Sequence, residues 1–526
     1  MTATWNKKDA GLFLLALAWL ALTLGVRPLA LPDEGRYVGV AWEMLNSGNW
    51  LYPTLDGLPF FHKPPLFYWI TAGSLGVFGA HEWAVRLAPL LGAGIAAFTL
   101  YGFVLRQKGT TVARWSLLIL VTQPFFFGGA QFANLDMLVA GLIATTILLA
   151  AEAALNAERG KPYKGMLASA YLGAALGVLA KGLIGAVLPG LVLVVWLAWN
   201  RRLVLMRQLA WLPGLALFLL VAAPWFVAMQ LRFPDFLHYF FVYQQFQRFA
   251  EGGFNNPMPF WFYPPAVLLL ILPWSWWLPA AWKRSGREAE IKPTIRSLMW
   301  IWPVVIVGFF SIPSSKLVGY VLPVLPPLAY LIAEGLVRKW GDAPSPRLLK
   351  GFALVAGVVC LSAIAANNAF NHKTNKGVSS LIVAQRQADE PVLFLRDQFF
   401  DMPFYLGLKG PVEIFDDWSP ASAARTDNWR KVIADAGKFD PARASQLLID
   451  HAQLERVVCS QPVSWLVARK GAEGEYPFLK QIAPLITHEQ TVVWRLTRSE
   501  IRSRGGCGQT PSGDSADKSL PQRTPG

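Results

Sequence analysis

Runs of about twenty apolar residues recur from near the N-terminus to around residue 370, and an α-helix needs that length to cross a bilayer. Inside hydrocarbon the chain must satisfy its own backbone N–H and C=O groups, so such runs become helices. About eleven spans are expected, at roughly 10–30, 83–105, 111–128, 136–155, 166–181, 183–200, 210–230, 260–282, 297–313, 317–337 and 350–368. Gly and Pro recur within them, as membrane helices tolerate. Only 15% of the 526 residues are charged, against about a quarter in soluble domains. The predicted class is a polytopic α-helical membrane protein. Lys7 and Lys8 precede the first run and no small-residue cleavage site follows, so this run reads as a retained span.

A net charge of +15 raises the question of nucleic acid. The basic residues exclude it, because they fall in short turns between spans and not in one patch. Lys7 and Lys8, Arg106 to Arg114, Arg159 to Lys164, Arg201 to Arg207, Lys283 to Arg296 and Arg338 to Lys350 occupy alternate loops. Positive charge marks the cytoplasmic side, so the first loop and the C-terminal segment face outward. The outer loops hold few cations: Arg36, Lys63, Lys181, Arg232, Arg248 and Lys316. Each lies close to a span end, where topology does not require it. Cations so placed suit a lipid phosphate or an anionic acceptor, with ordinary snorkelling as the plain alternative, favoured for Arg232. Cys360 lies in an apolar run, and the three cysteines have no metal-ligand spacing. Cys459 and Cys507 could pair in an oxidising compartment.

The first outer loop, 31–70, carries Asp33, Glu34, Arg36, Glu43, Asp56, His62 and Lys63 among dense aromatics. Ionisable groups at a membrane edge are costly to desolvate and call for a reason. Pro32 suits a helix start, after which Asp33, Arg36 and Tyr37 share one face while Glu34 and Val38 point elsewhere. Val38, Trp42 and Leu45 recur at helical spacing, which predicts a helix lying along the membrane surface. Asp56-Gly57 marks a turn, and Lys63 is held extended before Pro64-Pro65. The bland reading is a weak surface pair between Asp33 and Arg36. Asp136 opens the fourth span on the outer side, where a carboxylate also serves the helix dipole. Lys181-Gly182 separates two runs with almost no loop. Loop 231–259 is aromatic, with the period of an amphipathic helix that could act as a lid. Lys316 and Tyr320 open the tenth span.

From about 371 the chain changes character. Val392–Leu395, Val412–Phe415, Ser464–Ala468 and Thr491–Leu496 read as strands, and 398–407, 428–438 and 441–450 as helices. The expected organisation is a transmembrane domain over 1–370, a small α/β domain outside the membrane over 371–499, and a disordered polar tail over 500–526.

Outer aspartates, cations and aromatics suit one reaction well. A polyprenyl-phosphate sugar offers a lipid tail to the aromatics, a phosphate leaving group to the cations and a sugar carbon to attack. A carboxylate can orient or deprotonate an acceptor hydroxyl; a phosphate acceptor needs no base.

Asp33-Glu34-Gly35-Arg36-Tyr37, Ser47-Gly48-Asn49-Trp50 and Lys63-Pro64-Pro65-Leu66-Phe67-Tyr68-Trp69 resemble the first loop of the ArnT-like glycosyltransferases. That family belongs to the GT-C superfamily and is related to protein O-mannosyltransferases. The likeness continues through Asn134-Leu135-Asp136-Met137, Ala180-Lys181-Gly182, Gln247-Arg248-Phe249 and Ser315-Lys316-Leu317 with Tyr320, covering roughly 10–340. The resemblance implies a GT-C fold in the bacterial inner membrane with a site facing the periplasm. It implies an undecaprenyl-phosphate sugar donor, with 4-amino-4-deoxy-L-arabinose as sugar and lipid A as acceptor in the best-known branch. Membrane lipids are expected partners, and nucleic acid is not. The resemblance casts Asp33 and Asp136 as catalytic, Arg36, Lys63 and Arg248 as donor-phosphate ligands, and Tyr37, Tyr320 and His62 as cavity lining. Lys181 and Lys316 are weaker candidates. The chain departs from the family at His62, where Glu is common, and at Gln245, where His often precedes the Arg-Phe pair. This leaves a divalent metal open, with His62 as its candidate ligand. With eleven expected spans the chain reads as a relative shortened by two. The rival readings are transfer to a protein or another glycan and, more remotely, a lipid or sugar transporter, for which no inverted repeat is visible.

Overall fold

The computed structural model describes residues 6–247, 256–282, 294–340, 346–370, 373–419, 428–504 and 506–507. Among these, five helices are long and apolar enough to cross a membrane, and two bent pairs raise the number to seven if each is one span. The expected span at 111–128 is Thr110–Thr122 followed by Pro124–Ala130, bent by 67°, and that at 260–282 is Tyr263–Leu270 followed by Trp274–Trp282, bent by 105°. Pro124 and Pro273 sit at these breaks, and a proline donates no hydrogen bond to the preceding turn. Leu66–Phe78, Ile184–Trp199 and Ile295–Ser311 are shorter apolar helices. The chain is a multi-pass membrane protein.

Asp136–Glu158 forms the middle of the bundle, 94% of its apolar window being buried, whereas Leu212–Arg232 and Leu349–Phe370 bury 28% and 22% and face outward. Small residues allow the central contacts. A Cβ on Gly92 would lie 2.5 Å from the backbone of Met137 and Leu138, and Gly141 abuts Gly92 from the other helix. Without a hydrophobic force between helices in lipid, such close backbone packing supplies the attraction.

Outside the bundle lies a six-stranded sheet, ordered Leu448–Asp450, Glu413–Asp416, Val392–Leu395, Val463–Arg469, Thr491–Thr497, Ile486–His488. The first four strands are parallel and the last two antiparallel. Val392–Leu395 is buried on both faces, as an unbroken apolar run in a parallel sheet requires. The helix expected over 441–450 stops at Leu447, and Leu448–Asp450 becomes an edge strand. The described chain extends past the expected 499 boundary through the helix Arg498–Ser503, and Cys507 is disulfide-bonded to Cys459. Residues 508–526 of the expected tail lie outside the described residues.

The first-loop helix runs Asp33–Ser47 and ends at Gly48 in the left-handed region, φ 68°. Its apolar face does not lie on the membrane surface as its pattern predicts. Gly35 packs against Phe400 and Asp401, Trp42 donates to the Leu408 carbonyl at 2.7 Å, and its ring meets Phe404 edge-on at 5.7 Å. Periodicity reports that a face is apolar but not what covers it; here the outer domain covers it. Asp56-Gly57 makes the expected turn, with both residues at positive φ, between Thr54–Leu55 and Leu58–Pro59. Glu43 accepts from the Thr54 hydroxyl and the Asp56 and Gly57 N–H groups, and Asp56 accepts from Val412 N–H at 2.8 Å, tying this hairpin to the outer domain.

Candidate active site

Asp33 stands at the first turn of its helix, and Arg36 Nη2 donates to its Oδ1 at 2.9 Å. The pair does not sit alone. Burial raises the Asp33 carboxyl above its ordinary 3.8; Arg36 opposes this, the Asp136 and Glu34 charges add to it, and Lys181 opposes it. The same neighbours act on Tyr37, whose hydroxyl is raised by burial, opposed by Arg36 and reinforced by Asp33, Asp136 and Tyr320. Residues from four distant stretches, 33–37, 136, 181 and 320, therefore share one electrostatic site.

Asp136 begins the central helix. Asn134 prepares it locally: its side-chain oxygen accepts from Asp136 N–H at 3.0 Å and its amide donates to Asp136 Oδ2 at 3.3 Å. Lys181, the last residue of Lys164–Lys181, donates to Asp136 Oδ1, and its ammonium lies 4.4 Å from the Tyr320 ring centroid. Both charges are largely buried, which a charged pair tolerates when each partner is satisfied. Gly319 adjoins Tyr320, and a Cβ there would strike the Asp136 carboxylate.

Sequence reasoning set Glu34 aside, yet Glu34 builds the support of the site. It is fully buried and accepts from Arg27 Nη2 at 3.0 Å and Arg86 Nε at 3.0 Å, from Arg27 Nη1, and from Arg86 Nη2 at 3.1 Å. Backbone N–H groups of Ala30, at 2.8 Å, and Ala133, at 2.7 Å, complete it. Burial would raise this carboxyl, but Arg86 and then Arg27 outweigh it and hold it at about 2. The Ala133 bond fastens the turn before Asp136 to the helix that carries Asp33. The available signal was Arg27 and Arg86, two cations beside apolar runs, but their meeting is a tertiary fact.

The remaining candidates divide. Arg36 has a buried Nε with no hydrogen-bond partner among the described residues, and its guanidinium lies 5.4 Å from the Tyr37 ring centroid. Lys63 is half-buried just before the helix Leu66–Phe78. Lys316 is drawn elsewhere: its ammonium donates to the carbonyls of Met258, at 3.0 Å, and Pro313, joining two outer turns. His62 is buried in an aromatic stack, 4.4 Å from Phe60 and 6.3 Å from Tyr239 between ring centroids. Among the described residues no three His, Cys, Asp or Glu side chains gather as a metal site. Arg248 and most of the loop that follows lie outside the described residues, and so does its neighbour Phe249. The preceding segment His238–Gln247 is a π-helix packed by aromatic contacts.

Comparison with solved structures decides the fold. ArnT from Cupriavidus metallidurans bound to undecaprenyl phosphate matches with a TM-score of 0.78 at 22% identity, over 93% of this chain and 98% of that one. The chain has the fold of ArnT. An archaeal oligosaccharyltransferase from Archaeoglobus fulgidus aligns more distantly with the ArnT-like chain, with a TM-score of 0.50 at 10% identity over 89% of this chain and 70% of that one. A family model described as dolichyl-phosphate-mannose-protein mannosyltransferase matches residues 62–227. The undecaprenyl phosphate-alpha-4-amino-4-deoxy-L-arabinose arabinosyl transferase of Aeromonas hydrophila is 34% identical over 359 residues, 67% of the ArnT-like chain and 64% of the relative. The enzyme of the same name from Erwinia tasmaniensis is 33% identical over 339 residues, 64% of this chain and 60% of the relative. The ArnT-like chain thus spans less than two thirds of the length of these curated relatives.

Proposed function

We propose that this protein is an integral-membrane glycosyltransferase of the bacterial inner membrane. It transfers a sugar, 4-amino-4-deoxy-L-arabinose or a related one, from undecaprenyl phosphate to lipid A or another envelope acceptor at the periplasmic face. The observation that carries this is the convergence of Asp33, Arg36, Tyr37, Asp136, Lys181 and Tyr320 at the outer end of an ArnT-like bundle. The names of the relatives support the donor and the sugar.

In the reaction an acceptor oxygen attacks the anomeric carbon, the bond from that carbon to the phosphate oxygen breaks, and polyprenyl phosphate leaves with its electron pair. One-step displacement inverts the anomeric centre. Arg36, with its unpartnered Nε, together with Lys63 and Arg248, binds the leaving phosphate, whose charge grows in the transition state. Asp33, paired with Arg36, orients the acceptor and accepts its proton where the acceptor is a hydroxyl. Lys181 fixes the Asp136 carboxylate by donating to its Oδ1.

The test is transfer in proteoliposomes loaded with undecaprenyl-phosphate sugar. Asp33→Asn keeps the shape of the side chain and removes its charge, and a loss of at least about a hundredfold in kcat is expected. Full activity of this variant would remove Asp33 from the mechanism.

A further inference from the structure

A cavity of about 810 Å³ opens between the start of the Asp33–Ser47 helix and the outer domain. Leu31 and Pro32 line one side, by the helix face that Gly35 and Gly39 turn to Phe400, away from the face that carries Asp33. Gln398, Trp429, Asp397 and Arg469 line the other. Its volume lies in the range of small-ligand pockets, roughly 300 to 1,000 Å³.

Three features describe what it would hold. Gln398 is 5% exposed, and its Oε1 has no hydrogen-bond partner among the described residues. A buried acceptor left unpaired costs about 1–3 kcal/mol, which a ligand O–H or N–H would recover. Asp397 accepts from Arg469 Nε at 2.5 Å, and together they form a planar polar edge able to donate and accept. The wall also carries Lys373 and Glu489. Acidic and basic side chains are therefore balanced, and the field selects neither a polyanion nor a cation. Trp429 supplies an aromatic surface for an apolar ring face.

The opposite rim is already fixed. Asn375 Nδ2 donates to Asp401 Oδ1 at 2.7 Å and Asn375 N–H donates to Asp401 Oδ2 at 2.8 Å, while Thr491 Oγ1 donates to Asn375 Oδ1 at 3.4 Å. Leu31 N–H donates to the Lys373 carbonyl at 2.9 Å, locking the two sides together. A ligand would meet a prepared surface, with little ordering left to do.

A ring with hydroxyls at its edge and C–H groups on its faces matches this lining. We infer that the cavity is a saccharide subsite, holding a part of the acceptor's glycan headgroup that extends past the Asp33 cluster toward the outer domain. Saccharide binding stands on the cavity itself; the word acceptor rests on the transferase reading above.

The experiment uses the full chain in nanodiscs and a β-1,6-linked glucosamine disaccharide, with and without phosphates, followed by saturation-transfer NMR. Both forms should receive saturation at their ring C–H protons. Trp429→Ala and Gln398→Leu should each weaken the disaccharide about tenfold or more. In the transfer assay Trp429→Ala should raise the acceptor KM at least about tenfold more than it lowers kcat. Arg469→Gln, at a half-exposed position on the same wall, repeats the test should a buried substitution fail to fold. Absence of binding to the parent, equal affinity in all variants, or binding of the phosphorylated form alone overturns the subsite. Binding without transfer from any polyprenyl-phosphate sugar supports the subsite and overturns the transferase reading instead.

Discussion

Replacing Glu34 with Gln tests the support beneath the site. The substitution preserves volume but removes the one negative charge between two buried guanidiniums, and turns an N–H₂ toward donors of Arg27 or Arg86. Two routes give the magnitude. Holding a carboxyl at about 2 against an ordinary 4.5 contributes on the order of 3 kcal/mol to folding. Breaking a buried ion pair costs about 3–5 kcal/mol through the charge left uncompensated. The sign follows from the direction of the shift. A depressed folded value stabilises above pH 4.5, and the contribution is lost as pH falls from 4.5 toward 2. The thermal midpoint of Glu34→Gln in nanodiscs should therefore fall by several degrees at neutral pH, and the gap to the parent should close on acidification. Because Glu34 holds Ala133, transfer should fall as well, through kcat more than through the donor KM. A variant with the parent's midpoint at pH 7, or a gap that stays constant down to pH 3, refutes the reasoning.

Three further expectations can be measured. Transfer to a hydroxyl acceptor should decline as pH falls through a value above 3.8, since Asp33 must be ionised and burial raises it; a pH–rate profile flat to pH 4 contradicts this. Gly319→Ala should reduce kcat about tenfold or more, with a smaller loss of stability, because its methyl group displaces the Asp136 carboxylate; parent-like kinetics would show that Asp136 can move freely. Reducing Cys459–Cys507, separated by 48 residues, should destabilise the outer domain by up to about 4 kcal/mol, read as a lower unfolding midpoint with reductant; no shift would mean that the bond closes chain already constrained.

The outer region shows where sequence patterns suffice. Val392–Leu395 is apolar at every position, and the structure buries all four residues in the middle of the sheet. Short edge strands such as Ile486–His488 escape notice because three residues carry too little pattern. The membrane region shows a similar limit. Apolar runs mark the helices, but the bends near Pro124 and Pro273 depend on what each half packs against.

The amino-acid order alone determined that this chain enters a membrane, where its helices lie, and that Asp33, Arg36 and Tyr37 share a helical face, because hydropathy and helical period are local properties. Tertiary structure decided which charges meet. Glu34 joins Arg27, Arg86 and Ala133, Lys181 joins Asp136 and Tyr320, and Lys316 turns away to close an outer turn. A buried charge must find its partner in three dimensions, and no spacing along the chain records a partner a hundred residues away.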